Sequence, residues 1–262
     1  MKRMSVSFFL MLSIVWLASC AQQPIERQLT KEQERKRAQQ SAKLHTELAA
    51  EYYHRGQYKV ALEEVEEAFQ AVPNYAPANN MLGLIYMSLR ENTQAQKNFE
   101  QALKTSSKDP EIHNNYGWFL CQRRPERMDQ AIKHFMNAVS DPLYQTPEKS
   151  YTNAGICELK RNNYTAAKDF FNKALSISMA YSPALVGLID VDFNIGKLID
   201  AKSKLSHYMQ HSTPTPESLW LGIKIERKLG DRYAEESYAY QLMKRFPNSE
   251  EASALREGRY EQ

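Results

Sequence analysis

The strongest constraint in this sequence is a small residue that returns on a nearly fixed step. Ala61 recurs as Ala95, Ala131, Ala167 and Ala201, at intervals of 34, 36, 36 and 34 residues. Four residues after these alanines stand Val65, Phe99, Phe135, Phe171 and Leu205, and seven after them Ala68, Ala102, Ala138, Ala174 and Tyr208. Positions i, i+4 and i+7 share one face of an α-helix. The alanines on that face let a partner helix approach, and the large residue between them fills the gap between helix pairs. A chain that repeats one supersecondary unit builds its core by stacking neighbours, not around a single centre.

The first half of each unit is patterned too. Leu48-Ala49, Leu82-Gly83, Tyr116-Gly117 and Ala154-Gly155 each end on a very small residue, and Tyr52 and Tyr86 follow three residues later. The later units depart from this. Leu188-Ile189 lacks the small residue, and a sixth unit carries Glu235 and Ala239 at the alanine and large positions. Gly56, Gly196 and Gly230 share one repeat position, the turn between paired helices, where a positive φ is often needed. Small-x3-large-x2-small with a period near 34 resembles the tetratricopeptide repeat (TPR). The resemblance implies an all-α fold, a TPR solenoid of about six helix-turn-helix repeats forming a right-handed superhelix. The units read as 42–75, 76–109, 110–147, 148–181, 182–215 and 216–249.

Several helix starts are marked. Asp109-Pro110, Thr146-Pro147, Ser182-Pro183 and Thr215-Pro216 each pair an N-cap residue with Pro at the first helical position. Thr93 with Gln96 reads as a capping box opening the second helix of repeat two. Pro73 and Pro247 fall where second helices should end. Arg123-Arg124-Pro125-Glu126 adds about two residues between the helices of repeat three, as in a longer surface turn. Residues 250–262 read as a polar C-terminal cap helix, with Asn248 and Glu251 as its capping pair.

Residues 1–19 read as a signal peptide. Met1-Lys2-Arg3 is charged, the run from Val6 to Ala18 is apolar, and it is short for a membrane span. Leu17-Ala18-Ser19-Cys20 resembles the bacterial lipobox, which implies lipidation of Cys20 and cleavage before it. A plain signal peptide with a chance Cys is the competing reading. Ala21, not Asp, follows the Cys, which by analogy with Gram-negative lipoproteins favours the outer membrane, facing the periplasm. Residues 20–41 read as a lipidated tether and lead-in helix. At about 3.3 Å per residue the polar stretch 21–30 spans ~33 Å.

Charge is balanced, 34 basic against 31 acidic residues, with no basic stripe, so nucleic acid is not expected as a partner. No phosphate-binding Gly-rich loop, nucleophile elbow or zinc-type Cys pattern occurs. His207 and His211 share a helix face but lack an accompanying carboxylate motif. The reading is no enzyme, no cofactor and no metal. Cys121 and Cys157 both fall in first helices, of adjacent repeats, which pack side by side. They read as a disulfide in an oxidising compartment, as two packed thiols, or, least readily, as a redox centre at Cys121.

Function must then lie on a surface. In TPR proteins the first helices line a groove, and repeat positions two, five, nine and twelve face it. In this register the partner groove comprises Tyr53, Asn80, Leu84, Met87, Asn114, Trp118, Thr152, Ile156 and Phe193. Apolar anchors beside amides suit a bound peptide segment. Leu84 and Ile156 read equally well as packing between repeats.

Taken together, the lipobox Cys20, the run Tyr52-Tyr53-x-x-Gly56-Gln57-Tyr58-x-x-Ala61-Leu62 and the run Asn114-Asn115-Tyr116-Gly117-Trp118-Phe119-Leu120-Cys121 resemble the PilF/PilW pilotin family of type IV pilus biogenesis lipoproteins. The Cys121–Cys157 pair fits the same family. The resemblance implies a protein held to outer-membrane lipid through acylated Cys20. Its partner would be the secretin subunit of the type IV pilus, whose outer-membrane localisation and multimerisation it promotes. A general periplasmic TPR lipoprotein that scaffolds cell-wall or envelope enzymes is the alternative.

Overall fold

The computed structural model describes the backbone of residues 5–260 and the side chains of residues 30–260. Among the described residues every regular element is a helix. The chain divides into two compact units, Met1–Ser107 and Lys108–Gln262. The first holds α1 (Ser5–His54), α2 (Tyr58–Ala71), α3 (Ala76–Ser88) and α4 (Asn92–Thr105). The second holds α5 (Pro110–Arg123), α6 (Met128–Val139), α7 (Pro147–Lys160), α8 (Tyr164–Ile177), α9 (Ser182–Asn194), α10 (Leu198–His211), α11 (Pro216–Leu229), α12 (Arg232–Arg245) and α13 (Glu250–Arg256). Each odd-numbered helix up to α11 packs on the next as a hairpin, the TPR arrangement. The side chain of Cys20, and with it the lipidation reading, lies outside the described residues, as does the start of the signal peptide.

The packing inside each hairpin explains the repeat pattern and its exceptions. A Cβ placed on Gly83 would lie 2.8 Å from the Phe99 ring, one on Gly117 2.9 Å from Phe135, and one on Gly155 2.6 Å from Phe171. The three Phe rings are fully buried. Each glycine is therefore the socket for a ring from the second helix. The other repeats depart from this pairing. Ala49 stands in the same core cluster as Val65, Ile189 as Leu205, and Ile223 packs with Ala239. Where the socket is filled by a larger side chain, the wedge shrinks. Repeat six keeps roughly the sum of the two volumes with Ile223 and Ala239, whereas repeat five sets two large side chains, Ile189 and Leu205, together. In repeat six Gly222 also receives Tyr238, one position earlier on both helices.

The turns between paired helices share one backbone form. Gly56, Gly196 and Gly230 hold φ of 71°, 81° and 79°, as the sequence implied. Arg90 and Asn162 take the same left-handed conformation at the equivalent positions, with φ of 63° and 62°. Repeat three differs: Pro125–Arg127 form a 3₁₀ turn, and Arg124 has φ −136°. That is the longer connection expected there.

Capping departs from expectation at several starts. Asp109 accepts from the backbone N–H groups of Glu111 and Ile112, and Thr215 forms a reciprocal box with Ser218. Thr146 precedes α7 without a side-chain capping bond. Ser182 lies inside α9, and its hydroxyl pairs with the Tyr208 hydroxyl at 3.1 Å. The Thr93–Gln96 box does not form, because the short left-handed turn at Arg90 starts α4 at Asn92, and Gln96 donates to Glu100. Ser249, not Asn248, caps α13 through the N–H of Ala252. Nor is α13 polar all round: Ala252 and Ala254 are buried against Leu219, Trp220 and Leu242.

Two outcomes follow from this packing. Gly155→Ala gains about 1 kcal/mol of helix propensity, but Phe171 is held between Gly155 and Gly187 and cannot retreat. Overpacking of about 1–3 kcal/mol prevails, so the variant melts lower. Adding Phe171→Leu recovers part of the loss, and a double-mutant cycle read by denaturant unfolding measures the coupling. Arg90→Gly removes the left-handed strain of an exposed arginine. It raises stability by about 0.5–1 kcal/mol in the same assay.

Candidate functional site

The first helices carry the groove residues, and each unit presents its own set. In the first unit, Tyr53 and Leu84 are half-buried and pack with Ala50 against the core cluster that contains Ala49 and Ile85. The Tyr53 hydroxyl lies 2.9 Å from the Ser88 hydroxyl and ties α1 to α3. Asn80 and Met87 are half-buried on the same helix as Leu84. Leu84 packs inward and keeps part of its surface.

In the second unit, Trp118 and Ile156 are half-buried. Asn114, Thr152 and Phe193, expected on the groove surface, are buried, at 1 %, 2 % and 7 % exposure. Each has a structural cause or surrounding. The Asn114 carbonyl oxygen accepts from the Ser150 hydroxyl at 2.8 Å and from the Asn153 amide at 3.0 Å, clamping α5 to α7. Thr152 lies on α7 between buried neighbours Ser150 and Ala154. Phe193 is covered by two lysines: the ammonium groups of Lys224 and Lys228 stand 5.1 and 4.6 Å from its ring centre. Such cation–ring contacts contribute about 0.5–1 kcal/mol each at exposed sites. Lys224 and Lys228 were not legible as groove residues without the ring beneath them.

The same face holds a cavity of about 310 Å³. Its apolar wall comes from Ile156 and Leu159 of α7 and from Pro183 and Val186 of α9, and its polar margin includes Asp190 and Glu217. Asn194 donates to Asp190 Oδ1 at 2.9 Å, and Lys224 Nζ stands 4.0 Å from that same oxygen. Partial burial pushes the Asp190 carboxyl up from its ordinary range, against the opposing pull of Lys224 and Asn194.

A series of buried carboxylates lies beside this face. Glu158, Asp192 and Glu226 occur 34 residues apart and are 2 %, 5 % and 2 % exposed. Arg161 makes a two-pronged pair with Glu158, at 2.6 and 2.7 Å, and Asn163 adds a bond at 2.8 Å. Lys204 pairs with Asp192, and Lys202 with Glu226 at 2.7 Å. In repeats one and two the equivalent position holds Tyr52 and Tyr86. The sequence reading missed this series, although three acids at a step of 34 were its available signal. Buried charges of this kind cost several kcal/mol if one partner is removed.

Other titratable groups are engaged structurally. His113 and His134 approach through their Nδ1 atoms at 2.8 Å, and burial, then the neighbouring His113, hold His134 down to about 4. His211 Nδ1 contacts the His207 carbonyl at 2.9 Å. Cys121 and Cys157, on α5 and α7, have Cα atoms 5.8 Å apart and sulfurs at 1.95 Å. Both are buried, so neither presents a thiol to a substrate.

Comparison with known proteins agrees with this architecture. The tetratricopeptide repeat family matches residues 76–109 and 148–179. The type IV pilus assembly protein PilF of Pseudomonas aeruginosa is 25% identical over 203 residues, covering 78% of this chain and 80% of that protein. The solved structure of Pseudomonas aeruginosa PilF, 23% identical, covers 85% of this chain and 99% of its own, with a TM-score of 0.66, and shares the fold. The crystal structure of PilW, described as a widely conserved type IV pilus biogenesis factor, is 33% identical. That match covers 82% of this chain and 98% of PilW, with a TM-score of 0.69. No catalytic family is indicated among these relatives. With that identity over nearly the whole of PilW, the chain belongs to the PilW family of type IV pilus biogenesis TPR proteins.

Proposed function

We propose that this chain is a pilotin: a lipid-anchored, non-enzymatic TPR protein that holds a subunit of the type IV pilus secretin at the outer membrane and promotes its multimerisation. The observation that carries the reading is the match to PilW over 98% of that structure at 33% identity. The surface chemistry is consistent with it. Half-buried Trp118, Ile156 and Val186 and a cavity with a polar margin suit a polypeptide more than a reaction. Partly buried aromatic anchors carry most of the energy in such interfaces.

In this reading Cys20 is acylated and the protein faces the periplasm. Several acyl chains make the anchor firm, since each buried CH₂ contributes about 0.8 kcal/mol. Confinement beside the membrane raises the local concentration of a bound subunit and favours assembly without any bond being made or broken. The Cys121–Cys157 pair then resides in an oxidising compartment as a disulfide. Closing a loop of separation 36, it stabilises the second unit by roughly 4 kcal/mol in the chain-entropy description.

Two measurements test the reading. A photocrosslinking residue in place of Trp118, in piliated cells, should capture the secretin subunit, and capture of none would remove the groove from the mechanism. Cys20→Ala should leave folding intact, as read by circular dichroism, while secretin multimers disappear from the outer membrane. Normal multimers in that variant would rule out tethering.

A further inference from the structure

The cavity on the first-helix face of the second unit has a chemical bias that bears on what enters it. Its volume of about 310 Å³ is at the small end for ligand sites, enough for one or two side chains and not for a folded element. Its wall is apolar on the α7 and α9 sides. Its margin is made of acceptors. Asp190 and Glu217 bring two carboxylates, and no Lys or Arg is among the lining residues.

Most donors at that margin are already used or missing. Pro183 and Pro216, at the starts of α9 and α11, have no N–H. The Ser218 N–H goes to the Thr215 hydroxyl, and the Thr215 N–H goes to the Ser218 hydroxyl. The Ser182 hydroxyl pairs with that of Tyr208, which also lies 3.3 Å from the Thr213 carbonyl. Two helix starts beside a cavity would ordinarily invite an anion, but these offer few free donors to hold one. Both contacts to Asp190, from Asn194 and Lys224, are made at Oδ1. Lys224 stands at 4.0 Å, beyond a hydrogen bond, and lies over Phe193.

We infer that this cavity takes a large aliphatic side chain of a bound polypeptide and that Asp190, with Glu217, pairs with a Lys or Arg adjacent to it in the same segment. The inference deepens the reading of this face as a polypeptide-binding surface, and rests on it. The aliphatic group fills the space between Ile156, Leu159 and Val186, while the cation supplies the donor that the margin lacks. A charge-assisted bond to a partly desolvated carboxylate is about twice as strong as a neutral one. Burial raises the Asp190 pKa, so a cation placed beside it lowers that pKa again. Binding therefore weakens as pH falls through the Asp190 titration, and Asp190→Asn reduces that dependence to what Glu217 contributes.

The test uses the full chain, with Asp190→Asn, Asp190→Lys and Val186→Trp, each checked for folding by its melting transition. The first probe is a phage library of random twelve-residue peptides. The wild-type chain should enrich sequences in which Leu, Ile or Val neighbours Lys or Arg. Synthetic copies of these should bind at least tenfold more weakly to Asp190→Asn and to Val186→Trp, and Asp190→Lys should enrich acidic sequences instead. Enrichment without basic residues, no enrichment at all, or equal binding by wild type and Asp190→Asn would overturn the inference. The second probe is the type IV pilus secretin in detergent extract. Capture of secretin equally by wild type and Asp190→Asn sinks the inference and leaves the pilotin reading standing. Basic–aliphatic enrichment with no secretin capture supports the cavity chemistry and sinks the pilotin reading.

Discussion

The structure depends on one interlock, the large side chain of a second helix set into the small residue of the first. Phe99, Phe135 and Phe171 sit in sockets at Gly83, Gly117 and Gly155, close enough that a single added methyl would collide. Interiors are packed to near-crystalline density, so what must be conserved is the filled volume and not the identity of either residue. That accounts for Ile223 with Ala239, where the socket and the wedge exchange size. It also explains how helices can lie close enough for Ala61, Ala95 and their equivalents to be fully buried.

A second, electrostatic device is confined to the last three repeats. Glu158, Asp192 and Glu226 replace an aromatic position with a buried acid, and each is satisfied by a cation from the second helix or the turn. A paired buried charge adds little net stability, yet its loss is costly, and its main effect is geometric. Lys204 holds α9 against α10, its hairpin partner, while Lys202 ties α11 to the preceding α10. The cavity lies against those helices, so its walls are positioned by groups that do not line it.

The site that results is suited to holding. Cys121 is joined to Cys157 and His113 meets His134, while Asp190 receives Asn194 at Oδ1 with Lys224 only at 4.0 Å. The apolar side chains keep part of their surface, and the chain belongs to the PilW family of type IV pilus biogenesis TPR proteins.

The repeat, the all-helical class and the left-handed turns at Gly56, Gly196 and Gly230 were legible in the sequence, because helix periodicity and glycine's backbone freedom are local properties. So was the longer connection at Pro125. The capping pairs at Thr93 and Asn248 were misread, since a one- or two-residue shift in helix start changes which side chain meets a free N–H. Asn114, Thr152 and Phe193 share their repeat positions with groove residues, yet they are buried. Asn114 is closed over by Ser150 and Asn153 on the next first helix, and Phe193 by Lys224 and Lys228 two helices on. The sequence by itself thus determined the repeating helix hairpin, because its signals lie within one or two helical turns. Which groove side chains reach the surface, and where Asp190 and Glu217 converge on one cavity, only the tertiary structure decided, because those contacts join residues separated by whole repeats.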